Sequence, residues 1–361
     1  MKKFLRPWLI TLVAYLAYLG AILVAYNGDP LAFARLGFGP NKGYDGQFTY
    51  LIAVDPSPES VVREIEDVRA DVPAYRYQRI LLPALARLLG LGQPGLIVWM
   101  IPVINLVAQT VGVAIVEQLL IESGVSRWYA LVYAFWPGLV VAVRADLTEP
   151  LSYTFVAAGY LLHWRGRPWV SAVCFGLAVL TKETALLFVA AQIIHLALAR
   201  HWRKASSLSA LTIVPFVAWQ AALHVMFGSF GVGSGGYLGT PFEFVPFNGV
   251  WRILAEKGAT VLIVFLLFLG PWVMFPSIWG IIASVRQLFA RNRHPYVWAL
   301  GVNAIIIPFT PFSTFREPVA MFRFCTGLVL ATLLFGGLTK SHRALNYSWF
   351  WLAMLVFLVR D

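Results

Sequence analysis

Asp45 lies in the tetrad Tyr44-Asp45-Gly46-Gln47, and Arg76 and Arg79 follow in Tyr75-Arg76-Tyr77-Gln78-Arg79, further along the same hydrophilic stretch. A carboxylate beside two guanidiniums combines a proton acceptor for a hydroxyl with a bidentate seat for a phosphate. Asp45, partly desolvated at an interface, is expected to have its pKa raised toward that task. Further polar residues interrupt or bracket apolar runs: Arg144, Asp146 and Glu149, then Lys182 and Glu183, then Arg316, Glu317 and Arg323. Arg76 and Arg79 are the first candidates for a phosphate that gains charge as it departs, with Arg316, Arg323 and Lys182 behind them. Glu149 is a candidate second catalytic carboxylate. It also reads as a helix-start residue before Pro150, and Lys182 with Glu183 as an internal pair.

These residues need elements to hold them, and composition says which kind. Of the 361 residues 59% are hydrophobic and 12% charged, with mean hydropathy +0.73. That balance belongs to an all-α polytopic membrane protein, a single integral domain over 1–361. Apolar stretches at 7–26, 95–121, 127–143, 149–164, 169–181, 184–199, 205–226, 258–284, 295–309, 317–337 and 345–359 predict about eleven transmembrane helices. Several fall short of the roughly 20 residues a perpendicular span needs. An outer loop with interfacial helices occupies 27–94, a helical module 95–226, a second outer loop 227–257 and the C-terminal helices 258–361. Segment 79–89, with Arg79, Pro83 and Arg87, is too short to cross and reads as a helix on the surface.

The net charge of +11 excludes little by itself. The basic residues sit in short clusters between apolar runs, as topology signals rather than a nucleic-acid groove. If 79–89 does not cross, Arg165, Arg167, Arg200, Arg203, Lys204, Arg286, Arg291, Arg293, Lys340 and Arg343 all fall on the cytoplasmic side with the N-terminal tail. This orientation puts the N-terminus inside, the C-terminus outside and the polar residues named above on the outer face of the cell membrane. Ionisable groups near membrane depth are costly and mark substrate paths, although mutual salt bridging is the plainer alternative for any one pair.

In the first outer loop, Asp45 is expected to cap a helix through Val54 whose Phe48, Leu51 and Ile52 rest on the bundle. A second amphipathic segment carries Val61, Val62, Ile65 and Val68. The glycine- and aromatic-rich stretch 227–257 suits either a lid or an ordinary flexible loop. Cys174 and Cys325 both lie inside apolar runs, so no disulfide framework is implied. The six histidines show no metal-ligand spacing.

At Tyr44 to Gln47, Tyr75 to Arg79, Leu147-Thr148-Glu149-Pro150 and Arg316-Glu317 the chain resembles the GT-C superfamily of polytopic glycosyltransferases that use polyprenyl-phosphate sugars. An early acidic residue followed by "YRY…PALA" is similar to glycosylphosphatidylinositol mannosyltransferases; "YDGQ" with "TEP" is similar to bacterial cell-surface glycopolymer members. The likeness covers roughly the first 200 residues well and the C-terminal third weakly. It implies transfer of a sugar from a polyprenyl-phosphate donor to a hydroxyl of a glycan or lipid acceptor at the outer face, with inversion. The family's catalytic acidic residue carries over to Asp45. Glu149 is then expected to bind sugar hydroxyls or share the base role, and Tyr44, Gln47, Tyr75, Tyr77, Asp146 and Glu183 to contact substrate. Many members carry an Asp-X-Asp pair where this chain has Asp45-Gly46-Gln47. A divalent metal therefore lacks its usual second carboxylate, and no metal ligand is assigned.

Two other classes compete. A flippase or transporter of lipid-linked sugars would show internal repeats and polar residues at mid-depth, and an envelope scaffold would tolerate neutral replacements in the first loop. No repeat is evident, and the charges group at one face.

Overall fold

Prolines set where many helices begin. Pro7, Pro94, Pro137, Pro168, Pro295 and Pro318 each open one, because the first turn has no use for the N–H that proline lacks. The computed structural model describes residues 5–35, 45–59, 73–234 and 239–358, and among them every regular element is helical, with no strand.

Four helices are long and apolar enough to cross a membrane: Pro7–Ala25, Pro94–Glu122, Trp202–Phe227 and Ala259–Phe289. A fifth is reached if Pro318–Phe324 and Thr326–Thr339, bent by 41° at Cys325, count as one span. Large apolar side chains such as Val13, Leu16 and Val24 on the first and Ile263, Val264 and Leu267 on the last stay exposed, as a lipid-facing surface does. The structure is thus that of a helical membrane protein.

The expected eleven long spans are not all present as such. Stretch 127–143 is broken into Arg127–Tyr129, Ala130–Ala134 and Pro137–Arg144. Trp136 has ψ 126 because the residue before a proline is driven out of the helical region. Stretch 345–359 is the helix His342–Phe350 followed by a tight 3-10 segment, Trp351–Leu358. Pro168–Thr181, Glu183–Leu198 and Pro295–Phe309 are apolar but shorter than a full crossing. Segment 79–89 forms the short helix Leu81–Leu89.

The helix expected after Asp45 is present as Gly46–Val54; the segment 61–69 lies outside the described residues. One face, Phe48 and Ile52, packs on Ala74, Tyr77 and Leu223, and Ala53 packs with Leu82, Ala86, Ile97 and Ile101. Arg87 donates from Nη1 to the Ala53 oxygen at 3.0 Å and to that of Val54, satisfying carbonyls at the helix's C-terminal end. Asp45 does not cap this helix as expected. It is itself in a helical conformation without a capping bond, and its carboxylate is engaged elsewhere.

In the stretch 239–257, the Glu243 N–H donates to the Phe309 oxygen at 2.9 Å, Thr240 bonds to Ser313, and Asn248–Lys257 is helical. This part is docked on the segment around 308–313.

The helix Glu149–Trp164 has its start among the acidic and basic residues singled out above. Beyond its other end Arg165 reaches Glu122 at 3.4 Å, and Glu117 takes Arg6 at 2.8 Å and Arg127 at 3.9 Å. The molecule therefore has two charged ends.

Candidate functional site

Five pieces of chain deliver charge to one place. Asp45 stands at the entry to Gly46–Val54, and Arg76 and Arg79 come from Pro73–Tyr77 and the turn after it. Glu149 opens its helix, and Lys182-Glu183 form the joint between Pro168–Thr181 and Leu186–Leu198. Arg323 lies in the last turn of Pro318–Phe324, just before the 41° bend.

Cations and carboxylates alternate through the cluster. Arg76 Nη1 pairs with Asp45 Oδ1, and Arg323 Nη1 donates to Asp45 Oδ2 at 2.8 Å. Arg79 Nη1 stands 3.8 Å from the same Oδ2. Behind them, Arg79 forms a two-point bridge to Glu183, Nε to Oε2 at 3.0 Å and Nη2 to Oε1 at 2.7 Å. Glu149 Oε1 receives Arg323 Nε at 2.6 Å and Lys182 Nζ at 2.9 Å. Arg76 also lies over the Phe48 ring, 4.2 Å from its centroid, a contact that holds the cation without using its N–H groups.

Burial ranks the two candidate bases. The Glu149 side chain is 0% exposed, whereas that of Asp45 is 24% exposed. Asp45 is thus the carboxylate at the mouth and Glu149 the one beneath. The expectation of a raised Asp45 pKa is overturned. Burial pushes it up, but Arg76, Arg323 and Arg79 together outweigh burial and hold it well below the usual carboxylate range.

Asp146 is different. It is buried, with φ 54, and among the described residues neither carboxyl oxygen has a hydrogen-bond partner. Burial pushes its pKa well above the ordinary value. The turn that holds it presses on Gly46, where an added Cβ would collide with the Ala145 carbonyl oxygen and lie 3.1 Å from Asp146 Cβ. Only glycine lets the strand of chain after Asp45 come this close. The sequence shows Gly46 as a gap in an acidic pair, places Phe48 against the bundle and gives Thr148 no role of its own, whereas Phe48 and Thr148 line the cleft beside Asp45.

A narrow cleft with a free volume of about 20 Å³ opens at the cluster, lined by Asp45, Phe48, Arg76, Arg79, Thr148 and Arg323 among others. Next to it runs an apolar groove of about 510 Å³ that includes Ile80, Ala84, Leu88 and Leu91. Ile52 and Pro83 line both, so the charged cleft opens onto an apolar wall.

Not every expected residue joins. Arg316 ends the short helix Phe312–Arg316 and stacks on Phe312, 5.5 Å from the ring centroid, one helical turn back; it makes no ion pair with the cluster. Tyr77 is turned away and buried, its hydroxyl donating to the Ser57 oxygen at 3.2 Å and its own carbonyl accepting from Trp219 Nε1 at 2.9 Å. Its expected substrate contact is replaced by a packing role. Tyr75 does face the cluster, its hydroxyl accepting from Arg79 Nη2 at 3.0 Å. Gln47 sits in the first turn of Gly46–Val54. Tyr44 lies outside the described residues. Among the described residues no three His, Cys, Asp or Glu side chains group as a metal would need.

Compared with known proteins, the sequence matches no family model and no curated protein.

Proposed function

We propose that this chain is a multi-pass membrane glycosyltransferase of GT-C type that moves a sugar from a polyprenyl-phosphate donor to an acceptor hydroxyl at the extracytoplasmic face. The carrying observation is the junction of two surfaces: three arginines converge at a cleft whose wall continues as an apolar groove through Ile52 and Pro83. A lipid phosphate needs that pair, a fixed cationic fork for the head and an apolar surface for the chain. In this reading the broken and short helices are tilted or partial crossings of an eleven-helix bundle, with the N-terminus inside and the C-terminus outside. The gathering of ionised side chains at the two ends of the helix Glu149–Trp164 rather than along its middle supports a transferase over a transporter.

The proposed chemistry breaks the anomeric carbon–phosphate oxygen bond and forms a bond from the same carbon to the acceptor oxygen, with inversion. The acceptor proton passes to the Asp45 carboxylate. The released phosphate keeps the bonding electron pair, and its gained charge is met by Arg76, Arg79 and Arg323. Glu149 and Glu183 act as positioning residues that hold Arg323, Lys182 and Arg79 from behind.

Asp45→Asn tests this directly, with the protein in lipid nanodiscs and polyprenyl-phosphate sugars as donors. Release of the polyprenyl phosphate should fall by a factor of about 10² to 10⁴, while thermal unfolding shows a folded protein. Undiminished turnover would remove Asp45 as the base. Arg76→Ala should raise the donor KM more than the acceptor KM, and equal change in both would assign it a structural role.

A further inference from the structure

Asp45 occupies the place where the three arginine forks meet. Arg79 spends Nε and Nη2 on Glu183 and turns Nη1 forward; Arg323 spends Nε on Glu149 and turns Nη1 forward; Arg76 is held by its face over Phe48 and brings Nη1 forward. Each guanidinium thus has an anchor behind it and its Nη1 toward the Asp45 carboxylate, which accepts hydrogen bonds from Arg76 and Arg323 and lies 3.8 Å from Arg79. The anchors are more deeply seated than the acceptor. Glu149 is fully buried and belongs to a helix start, whereas Asp45 sits at a helix entry that carries no capping bond to fix it.

We infer that Asp45 is a resident anion that holds the phosphate seat in the ligand-free protein and is displaced from it by the incoming phosphate. A phosphate presents more acceptor oxygens than a carboxylate and can take all three forward N–H groups at once. The three arginines cannot serve two anions fully, so arrival of one loosens the other. This inference rests on the proposed function for its consequence: Asp45 is kept from acting as a base until a donor phosphate takes over its partners, so proton acceptance is coupled to donor occupancy. The exchange itself concerns anion binding and is separable from catalysis. No covalent bond changes in it.

The same geometry separates the roles of the acidic residues. Removing the Asp45 charge vacates the seat and leaves the forks aimed. Removing the Glu183 charge leaves the seat contested and lets Arg79 swing, since its two-point bridge to a carboxylate is reduced to one contact with an amide oxygen. Opposite changes in anion affinity are therefore expected from two carboxylate-to-amide substitutions in one cluster. A general effect of lost negative charge would make both variants bind more tightly.

Farnesyl phosphate, titrated into the full-length protein in nanodiscs of uncharged lipid, is the test. Asp45→Asn should bind it at least about tenfold more tightly than the wild type, the equivalent of one charge-assisted hydrogen bond no longer contested, and Glu183→Gln should bind it more weakly. Asp45→Ser, which also removes the charge, repeats the measurement if the asparagine variant does not fold. Unchanged or weaker binding in the folded Asp45 variants overturns the exchange, as does tighter binding in both Asp45→Asn and Glu183→Gln. If the expected order of affinities is found but the wild type transfers no sugar from any polyprenyl-phosphate donor, the exchange stands and the transferase reading falls. If the wild type transfers sugar and the Asp45 variants bind no more tightly, the exchange alone is lost.

Discussion

The helix Glu149–Trp164 joins two ends of the molecule at which ion pairs live under different conditions. At its start, Glu149, Lys182 and Arg323 are almost wholly buried, and each carboxylate there is shared by at least one guanidinium or ammonium from a distant part of the chain. At its far end, Arg165 is 52% and Glu122 35% exposed, and the distance between them is 3.4 Å. The contrast is one of solvent. A charge taken out of water must keep its partner, because an orphaned buried ion is far more costly than the pair is favourable; a pair left in water gains little and loses little. The first end therefore has a fixed geometry that can be used for chemistry, whereas the Arg165–Glu122 pair at the second has charge without fixed geometry.

Arg323→Met should break the first end most severely. It strips a cation from Asp45 and Glu149 together, so a loss of about 3 to 5 kcal/mol is expected, together with all sugar transfer. Thermal unfolding in detergent reads the first and polyprenyl-phosphate release the second. Arg323→Lys keeps the charge but cannot present two separate N–H groups in a planar fork, so it should restore most of the stability and little of the turnover. A methionine variant that unfolds like the wild type would show the cluster to be looser than its distances imply.

Gly46→Ala comes next. The added methyl meets a backbone carbonyl rather than the flexible end of a side chain, so the Gly46–Val54 helix must shift away from Ala145 and carry Asp45 with it. Overpacking of this kind costs about 1 to 3 kcal/mol, and turnover should fall more than stability. A variant of unchanged kcat and unfolding temperature would mean that the Ala145 turn can retreat without disturbing Asp45.

Much of this cluster was legible before any coordinates. Asp45, Arg76, Arg79, Glu149, Lys182, Glu183 and Arg323 stand out because each interrupts or bracket an apolar run, and burial near a membrane forces such residues to find one another. The choice between Arg316 and Arg323 was not legible. It depends on the bend at Cys325, which no proline or glycine at that position marks, and on Phe312 offering Arg316 a ring one turn back. Tyr75 and Tyr77, two residues apart on a helix, must point to opposite sides, so their division between cluster and packing could have been read. The break before Pro137 was equally visible in the sequence, whereas the apolar content of 127–143 suggested one continuous span. The direction of the Asp45 pKa turned on how many arginines converge, which spacing along the chain does not reveal.

Asp146 gives a smaller effect with a pH signature. Its raised pKa means that the folded protein keeps a proton that the unfolded chain releases above about pH 4. The stability associated with this group is complete below that pH and declines as pH rises toward the folded-state pKa. Asp146→Asn has no such proton to hold. Its unfolding temperature should match the wild type near pH 4 and exceed it increasingly toward neutral pH. A constant difference between the two proteins across pH would show Asp146 to be ionised in the fold.

Arg165→Ala probes the far end and should do least. Its partner Glu122 keeps access to water and to Gln118, whose Nε2 donates to the same Oε1 at 2.9 Å, so no carboxylate is orphaned. The change in stability should stay within about 0.5 kcal/mol, and donor turnover should be unaffected. Arg6→Ala makes the gradation finer, because Arg6 is 44% exposed while its partner Glu117 is 2% exposed. Removing it leaves a buried carboxylate with Arg127 at 3.9 Å, so its effect should exceed that of Arg165→Ala and remain below that of Arg323→Met. The order follows how many carboxylates lose a partner and how buried they are, Glu149 at 0% and Asp45 at 24% exposure for Arg323, Glu117 at 2% for Arg6 and Glu122 at 35% for Arg165, not the length of the bond removed: 2.8 Å at Arg6 and 2.8 Å between Arg323 and Asp45. Equal losses for Arg6→Ala and Arg323→Met would place the two ends under one rule and end the distinction between them.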